Sequence, residues 1–224
     1  MTIREIDQDG ALQEALSSTY GLSRTKFIAA LGLGSAALLD ELAHPRSADA
    51  AVANDRAILN FALVLEYLQA AFYTEAERRK TLTKGKLATI PSRLGAVERA
   101  HVTAFKRALG SAAVKRPAFD FAGTTEQSGP FLRTAVALED LAVAAYKGQA
   151  GNIRSPGYLA AAISIHSVEA RHAAWMRFLL GRRPAAHAFD KPISAAGAER
   201  LVASTHFVVS KAKTGAGRSP RFTG

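Results

Sequence analysis

The chain of 224 residues has no cysteine. That absence excludes disulfides, cysteine-ligated zinc, iron–sulfur clusters and thiol catalysis, and it leaves every redox compartment open. Aromatic residues make up 8% of the chain, with a single tryptophan, Trp175, read as a packing residue. No basic stretch is interleaved with aromatics, so no nucleic-acid-binding module is recognisable. A long apolar run is missing as well. The small and apolar stretch that ends at Leu39 spans about 13 residues, too few for an ordinary membrane span. Acidic residues are scarce, 19 against 29 basic, for a net charge of +10. The few carboxylates that fall among apolar neighbours therefore stand out.

Charge divides the chain unevenly. Residues 1–53 carry a net −3, residues 54–181 a net +7 and residues 182–224 a net +6. An N-terminal extension, a helical domain over 54–181 and a basic C-terminal extension are the expected parts. The basic end is expected to be solvated and disordered, with acidic lipid or nucleic acid as the partner class its charge would suit. A hydrophobic share of 48% is enough to fill a core.

Four segments show helical periodicity and none shows strand alternation. The first runs from an expected N-cap at Asn54-Asp55 to about Lys80, with Ile58, Phe61, Ala62, Leu65, Leu68, Gln69 and Phe72 on one face. A polar turn over Thr81–Lys86 follows. The second opens at Pro91-Ser92 and ends near Gly110, the third runs from Gly129-Pro130 to about Gly148, and the fourth from Tyr158 to Leu180 before Gly181. The fourth helix should turn Leu159, Ala162, Ile163, His166, Glu169, His172, Ala173 and Met176 inward. Residues 111–128 lack a helical pattern. Eighteen residues at up to ~3.3 Å each can cross a bundle of about 30 Å, which suits one long crossover.

Within these stripes the carboxylates repeat. Leu65-Glu66-Tyr67-Leu68 is followed by Val97-Glu98-Arg99-Ala100-His101, and Leu138-Glu139-Asp140-Leu141 by Val168-Glu169-Ala170-Arg171-His172. The lone Glu recurs after 73 residues and the Glu-x-x-His after 71, the mark of a duplicated helical hairpin. Residues three apart share a helix face, so Glu98 with His101 and Glu169 with His172 point the same way. Four bare carboxylates buried together would be costly, and some would take up protons. Two divalent cations cancel their charge. Oxygen-rich ligation with one imidazole per metal suits two iron ions, or two manganese ions, better than zinc. The expected ligands are Glu66, Glu98, His101, Glu139, Glu169 and His172, and buried ion pairs in a degenerate site are the alternative. Tyr73 and Tyr146 each follow a lone Glu by seven residues. They are expected to hydrogen-bond the ligands or donate an electron, with plain core packing as the other reading. Gln69, Asp140 and His166 are further neighbours expected near the cluster.

Ahead of the helices, Ser23-Arg24-Thr25-Lys26-Phe27-Ile28 and the apolar run resemble a twin-arginine export signal, Ser-Arg-Arg-x-Phe-Leu, with Thr25 where the second arginine stands. Ala48-Asp49-Ala50 and Ala51-Val52-Ala53 are its cleavage candidates. An exported or envelope-associated protein, or membrane association through this segment, is the expectation. An extra helix from Thr25 to Leu42 in a cytoplasmic protein is the alternative.

The repeated motifs resemble the ferritin-like superfamily, and more narrowly the ferritin-like proteins related to plant desiccation-related protein. Ile58-Leu59-Asn60-Phe61-Ala62-Leu63-Val64-Leu65-Glu66-Tyr67-Leu68, Leu138-Glu139-Asp140, Val168-Glu169-Ala170-Arg171-His172-Ala173-Ala174-Trp175 and Ala188-Phe189-Asp190-Lys191-Pro192 carry the likeness, which covers about residues 54–210. It implies an all-α, ferritin-like four-helix bundle holding two irons on the six residues named above. The near-symmetric set is similar to those of bacterioferritin and manganese catalase. The implied activity is that of a ferroxidase or peroxide scavenger in oxidative or drying stress, with oxygen or peroxide as reactant and a homodimer as the assembly considered. A manganese-catalase-like enzyme and a non-catalytic envelope scaffold are the alternatives. A DNA-protecting relative that uses the basic tail is the weakest reading.

Overall fold

The computed structural model describes residues 48–209 apart from 81, 83, 84 and 186. The export-like segment, the alternative helix Thr25–Leu42 and the end of the basic tail lie outside the described residues. The chain divides into two units, 1–51 with 186–189 and 52–185 with 190–224. The described part of the smaller unit is the first turn of one helix and His187–Phe189. The larger unit carries the bundle and everything that follows.

The protein is all-α, as the periodicity predicts. Helix α1 spans Ala48–Arg79, α2 Ile90–Leu109, α3 Ser128–Ala150 and α4 Pro156–Leu179. Proline lies in the first turn of both α2 and α4, where the missing N–H costs nothing. Ser155 caps α4 by accepting from the Tyr158 N–H at 3.4 Å. Helix α1 begins six residues earlier than the sequence predicts, because Asn54-Asp55 do not cap their own helix. The Asp55 carboxylate accepts instead from the backbone N–H groups of Arg154 (2.8 Å) and Ser155 (2.7 Å), just ahead of α4. The Asn54 side-chain amide donates to the Asn152 carbonyl at 2.8 Å. A carboxylate satisfies orphan N–H groups wherever the fold brings them, and sequence adjacency is not required.

Helix α1 has the length and apolarity of a membrane-crossing helix, yet it is mostly buried inside the protein. Phe72 anchors its packing, stacked on Phe131 of α3 (ring centroids 5.2 Å apart) and edge-on to Phe121 of the crossover (5.4 Å). The helix α3–α4 hairpin is tied by the Asp140–Arg177 ion pair, with Arg177 Nη2 2.7 Å from Oδ1 and Nε 3.2 Å from Oδ2. The long connection from α2 to α3 is mostly irregular, as its composition predicts, and contains a short strand β1, Ala118–Phe119.

The C-terminal segment differs from its expectation of a disordered end. Ala195–Thr205 forms helix α5, capped by Ser194, and Val208–Val209 forms strand β2, antiparallel to β1 with Ala118 opposite Val209. Ala198, Val202 and Phe207 are buried, and the Phe207 ring meets Phe121 edge-on at 5.3 Å. The approach of this strap to α3 requires glycine. A Cβ at Gly148 would lie 1.9 Å from the Ile193 carbonyl oxygen, while the Ile193 N–H donates to the Ala144 carbonyl at 3.0 Å. Net charge hid this docking, since the few apolar side chains that carry it, Ile193, Ala198, Val202 and Phe207, are spaced among polar ones.

One expected inward residue of α4, Ile163, faces outward at 55% exposed, and Trp175, read as a packing residue, is 37% exposed. The buried face of α4 runs through Ala162, Glu169, His172, Ala173 and Met176. Ile163, one residue on from Ala162, is turned about 100° away from it.

Candidate metal centre

Each helix of the bundle contributes polar groups from its buried stripe. Helix α1 supplies Glu66, Gln69 and Tyr73, at helical spacing on one face, and α2 supplies Glu98 and His101 one turn apart. Helix α3 supplies Glu139 and Tyr146, and α4 Glu169 and His172. Gly95, one turn before Glu98, lets α2 press on α1, because a Cβ there would lie 3.1 Å from Tyr73 Cβ. All four glutamates are fully buried, with His172 nearly so and the His101 side chain 12% exposed.

The structure brings all six sequence-predicted ligands into one cluster. His101 Nδ1 lies 3.2 Å from Glu66 Oε2, 3.4 Å from Glu98 Oε2 and 3.2 Å from Glu169 Oε1. His172 Nδ1 lies 2.9 Å from Glu98 Oε1 and 3.6 Å from Glu139 Oε2. Two sets of donor atoms, each within 4.8 Å of one another, emerge: Glu66, Glu98, His101 and Glu169, and Glu98, Glu139, Glu169 and His172. Glu98 and Glu169 belong to both sets. Glu66 with His101 closes one end of the cluster and Glu139 with His172 the other, following the repeat in the sequence.

The tyrosines cross between the repeats. Tyr73, on the helix of Glu66, donates to Glu139 Oε1, and Tyr146, on the helix of Glu139, donates to Glu66 Oε1. The stripe put each tyrosine two turns along the face from the Glu of its own helix, and the fold shows that each bonds the Glu of the other repeat. Gln69 Nε2 donates to Glu139 Oε2 at 3.0 Å and to Glu169 Oε2 at 3.1 Å. Gln69 thus supports the carboxylates themselves and is not an acceptor for an imidazole. Asp140, expected near a ligating His, is instead committed to Arg177. His166 is half-buried and outside both sets, with its Nε2 lacking a hydrogen bond. Arg99 lies on the outside of the bundle, donating to Thr74 at 2.9 Å and Glu77 at 3.3 Å.

Electrostatics show what the cluster is short of. Burial pushes Glu66 up to about 8, with His101 pulling down and the Glu169 and Glu98 charges adding to the rise. Burial raises Glu139 well above its ordinary value, and His172 only partly offsets it. At Glu98 burial acts upward too, but its two imidazole neighbours outweigh it and the carboxyl titrates low. Burial opposes the charged form of both histidines, yet the surrounding carboxylates win and push His101 up to about 12 and His172 to about 10. Burial and the adjoining carboxylates also hold the Tyr73 and Tyr146 hydroxyls firmly protonated. Without cations the cluster is stable only by storing protons.

The donor atoms fit cations better than they fit one another. Both oxygens of Glu98, Oε1 of Glu169 and Nδ1 of His172 are buried without a hydrogen bond, although His172 Nδ1 approaches Glu98 Oε1 to 2.9 Å. Lone-pair atoms that converge without hydrogen-bond geometry are aimed at a common centre. Buried carboxylates and two imidazoles together make a donor set suited to metal ions.

Residues 54–182 match a family model described as a ferritin-like domain. No curated protein matches the chain.

Proposed function

This chain belongs to the ferritin-like domain family, and from that premise we propose that it is a di-iron protein that oxidises ferrous iron with oxygen or peroxide. The observation that carries the reading is the sharing of Glu98 and Glu169 between the two donor sets. Carboxylates so placed would hold both members of a pair of cations and offset their charge. Glu66 with His101 would hold one cation and Glu139 with His172 the other. Tyr146 holds one oxygen of Glu66, and Glu139 is held at Oε1 by Tyr73 and at Oε2 by Gln69. Gln69 orients Glu139 and Glu169 together. Iron held here supplies the electrons: two ferrous ions, one dioxygen and two protons give two ferric ions and hydrogen peroxide.

A role in drying or oxidative stress rests on the resemblance to desiccation-related proteins. The resemblance of Ser23–Leu39 to an export signal supports an exported or envelope location. The near-symmetric ligand set also favours a second reading, disproportionation of peroxide by two manganese ions. The test is to add two ferrous ions per chain without air, then admit dioxygen. Uptake of one dioxygen per two irons is the expected result. Failure of both dioxygen and added peroxide to oxidise the loaded iron would reject iron oxidation, and oxygen release from peroxide by the manganese form would establish the second reading.

A further inference from the structure

The solvent side of helix α4 is poor in the charges that usually keep a helix in water. The helix has one carboxylate, Glu169, and that is spent inside the cluster. Ile163, Trp175 and Phe178 stand exposed, Phe178 at 58%. At 3.6 residues per turn, Ile163 and Trp175 each lie about 60° from Phe178, on opposite sides of it, so the three share one face. At 1.5 Å per residue that face runs about 22 Å from Ile163 to Phe178. The serines between them add little polarity. Ser164 donates to the Ala160 carbonyl at 2.9 Å and Ser167 to the Ser164 carbonyl at 2.8 Å, so both hydroxyls bond their own helix. Positive charge accompanies the stripe. Arg171 is exposed about 20° from Phe178, two turns earlier, and Arg182 and Arg183 are exposed just past the helix end. Asp140, the carboxylate that Arg182 approaches, is already paired with Arg177.

Exposed apolar side chains gathered on one face mark a surface that meets a protein or a membrane. The charges favour a membrane. The cations stand beside the aromatic and aliphatic groups with no acid among them, which complements a layer of lipid phosphates over an apolar interior. Tryptophan is the side chain that settles at that boundary. A helix face is convex, unlike the grooves that track single-stranded nucleic acid. We propose that the outer face of α4 is a docking surface for an anionic lipid bilayer, with Ile163, Trp175 and Phe178 entering the headgroup layer and Arg171, Arg182 and Arg183 meeting lipid phosphates. Three side chains and three cations make this a reversible, salt-sensitive attachment. It does not depend on which metal the cluster holds.

Trp175 is the only tryptophan in the chain, so tryptophan emission reports on this face alone. Vesicles of phosphatidylcholine with a quarter phosphatidylglycerol, added to the full chain, should shift that emission to the blue. Lipids brominated on their acyl chains should quench it, and salt should reverse both effects. Each basic residue near an anionic surface contributes roughly fivefold, so the triple variant Arg171→Gln, Arg182→Gln, Arg183→Gln should bind about a hundredfold more weakly. Ile163→Ser with Phe178→Ser should cost about tenfold or more. Ile163→Ser alone serves if the pair disturbs folding. Vesicle binding with unchanged Trp175 emission would place the contact elsewhere on the chain and overturn the proposal. Equal affinity for vesicles of pure phosphatidylcholine, or full affinity in the variants, would overturn it too. A blue shift with duplex DNA and none with vesicles would assign the face to nucleic acid instead.

Discussion

The hydroxyl of Tyr146 donates to Glu66 Oε1 across the bundle, joining two residues 80 positions apart in the chain. Tyr73 makes the same bond to Glu139 in the opposite sense. Each half of the duplicated hairpin therefore holds a carboxylate of the other half.

Replacing Tyr146 with Phe removes one of these bonds and little volume. Glu66 then loses its tyrosine donor and is held only through its other oxygen, beside His101. Loss of such an outer partner costs about 10- to 100-fold in metal affinity. Tyr146→Phe should weaken the Glu66–His101 end by that factor and leave the other end near its original affinity. Calorimetric titration with ferrous or manganous ion separates the two steps. Equal weakening of both steps, or none, would count against the crossed arrangement.

Gln69 breaks the symmetry. The residue 73 positions on is Ala142, which offers no amide, so the paired support of Glu139 and Glu169 has no counterpart in the second repeat. Gln69→Leu should depress binding most at the Glu139–His172 end, which loses support at two carboxylates, and less at the other, which shares only Glu169. Competition with a coloured chelator would measure it.

Proton release follows from the electrostatics. In the metal-free protein at neutral pH, His101 (about 12), His172 (about 10) and Glu66 (about 8) all hold protons. Ligation requires them to leave, so binding competes with protonation and apparent affinity must rise with pH while these groups remain protonated. With at least one proton from each imidazole, the rise is roughly a hundredfold per pH unit for the pair of metals. Calorimetry in buffers of different ionisation enthalpy counts the protons directly. A pH-independent affinity between 6 and 8, taken as ordinary working limits, would contradict this account.

The four helices, the long crossover and the six polar residues of the cluster were legible in the sequence because each obeys a local period. A glutamate three residues before a histidine, twice over inside apolar stripes, needs no tertiary information to be noticed. What could not be read depends on contacts between distant segments. Asp55 looks like a cap for its own helix, and only the fold shows that it serves the N–H groups of Arg154 and Ser155. The basic segment after residue 181 looks solvated, because its few apolar anchors, Ile193, Ala198, Val202 and Phe207, are spaced among polar residues. Gly148 reads as an ordinary helix end until Ile193 is seen passing over it.

That passage yields a stability prediction. Alanine at Gly148 would place a methyl group inside the Ile193 carbonyl, so the strap must lift or the helix must shift. Forced overpacking of this kind typically costs about 1–3 kcal/mol. For a chain of this size each kcal/mol lowers Tm by about 2–4 °C. Gly148→Ala should lower Tm accordingly and speed proteolysis between residues 190 and 209, with metal binding intact. An unchanged Tm would mean that the strap is not held where Ile193 places it.

The account stands or falls on the two donor sets sharing Glu98 and Glu169. The most direct measurement is anomalous diffraction at the iron edge from crystals of reconstituted protein, with Glu98→Ala, Glu169→Ala as the control. Two peaks are expected, one beside Glu66 and His101 and one beside Glu139 and His172, roughly 3.5–4 Å apart and both absent from the control. No peak within the cluster, or full iron occupancy in the double variant, would contradict the central claim.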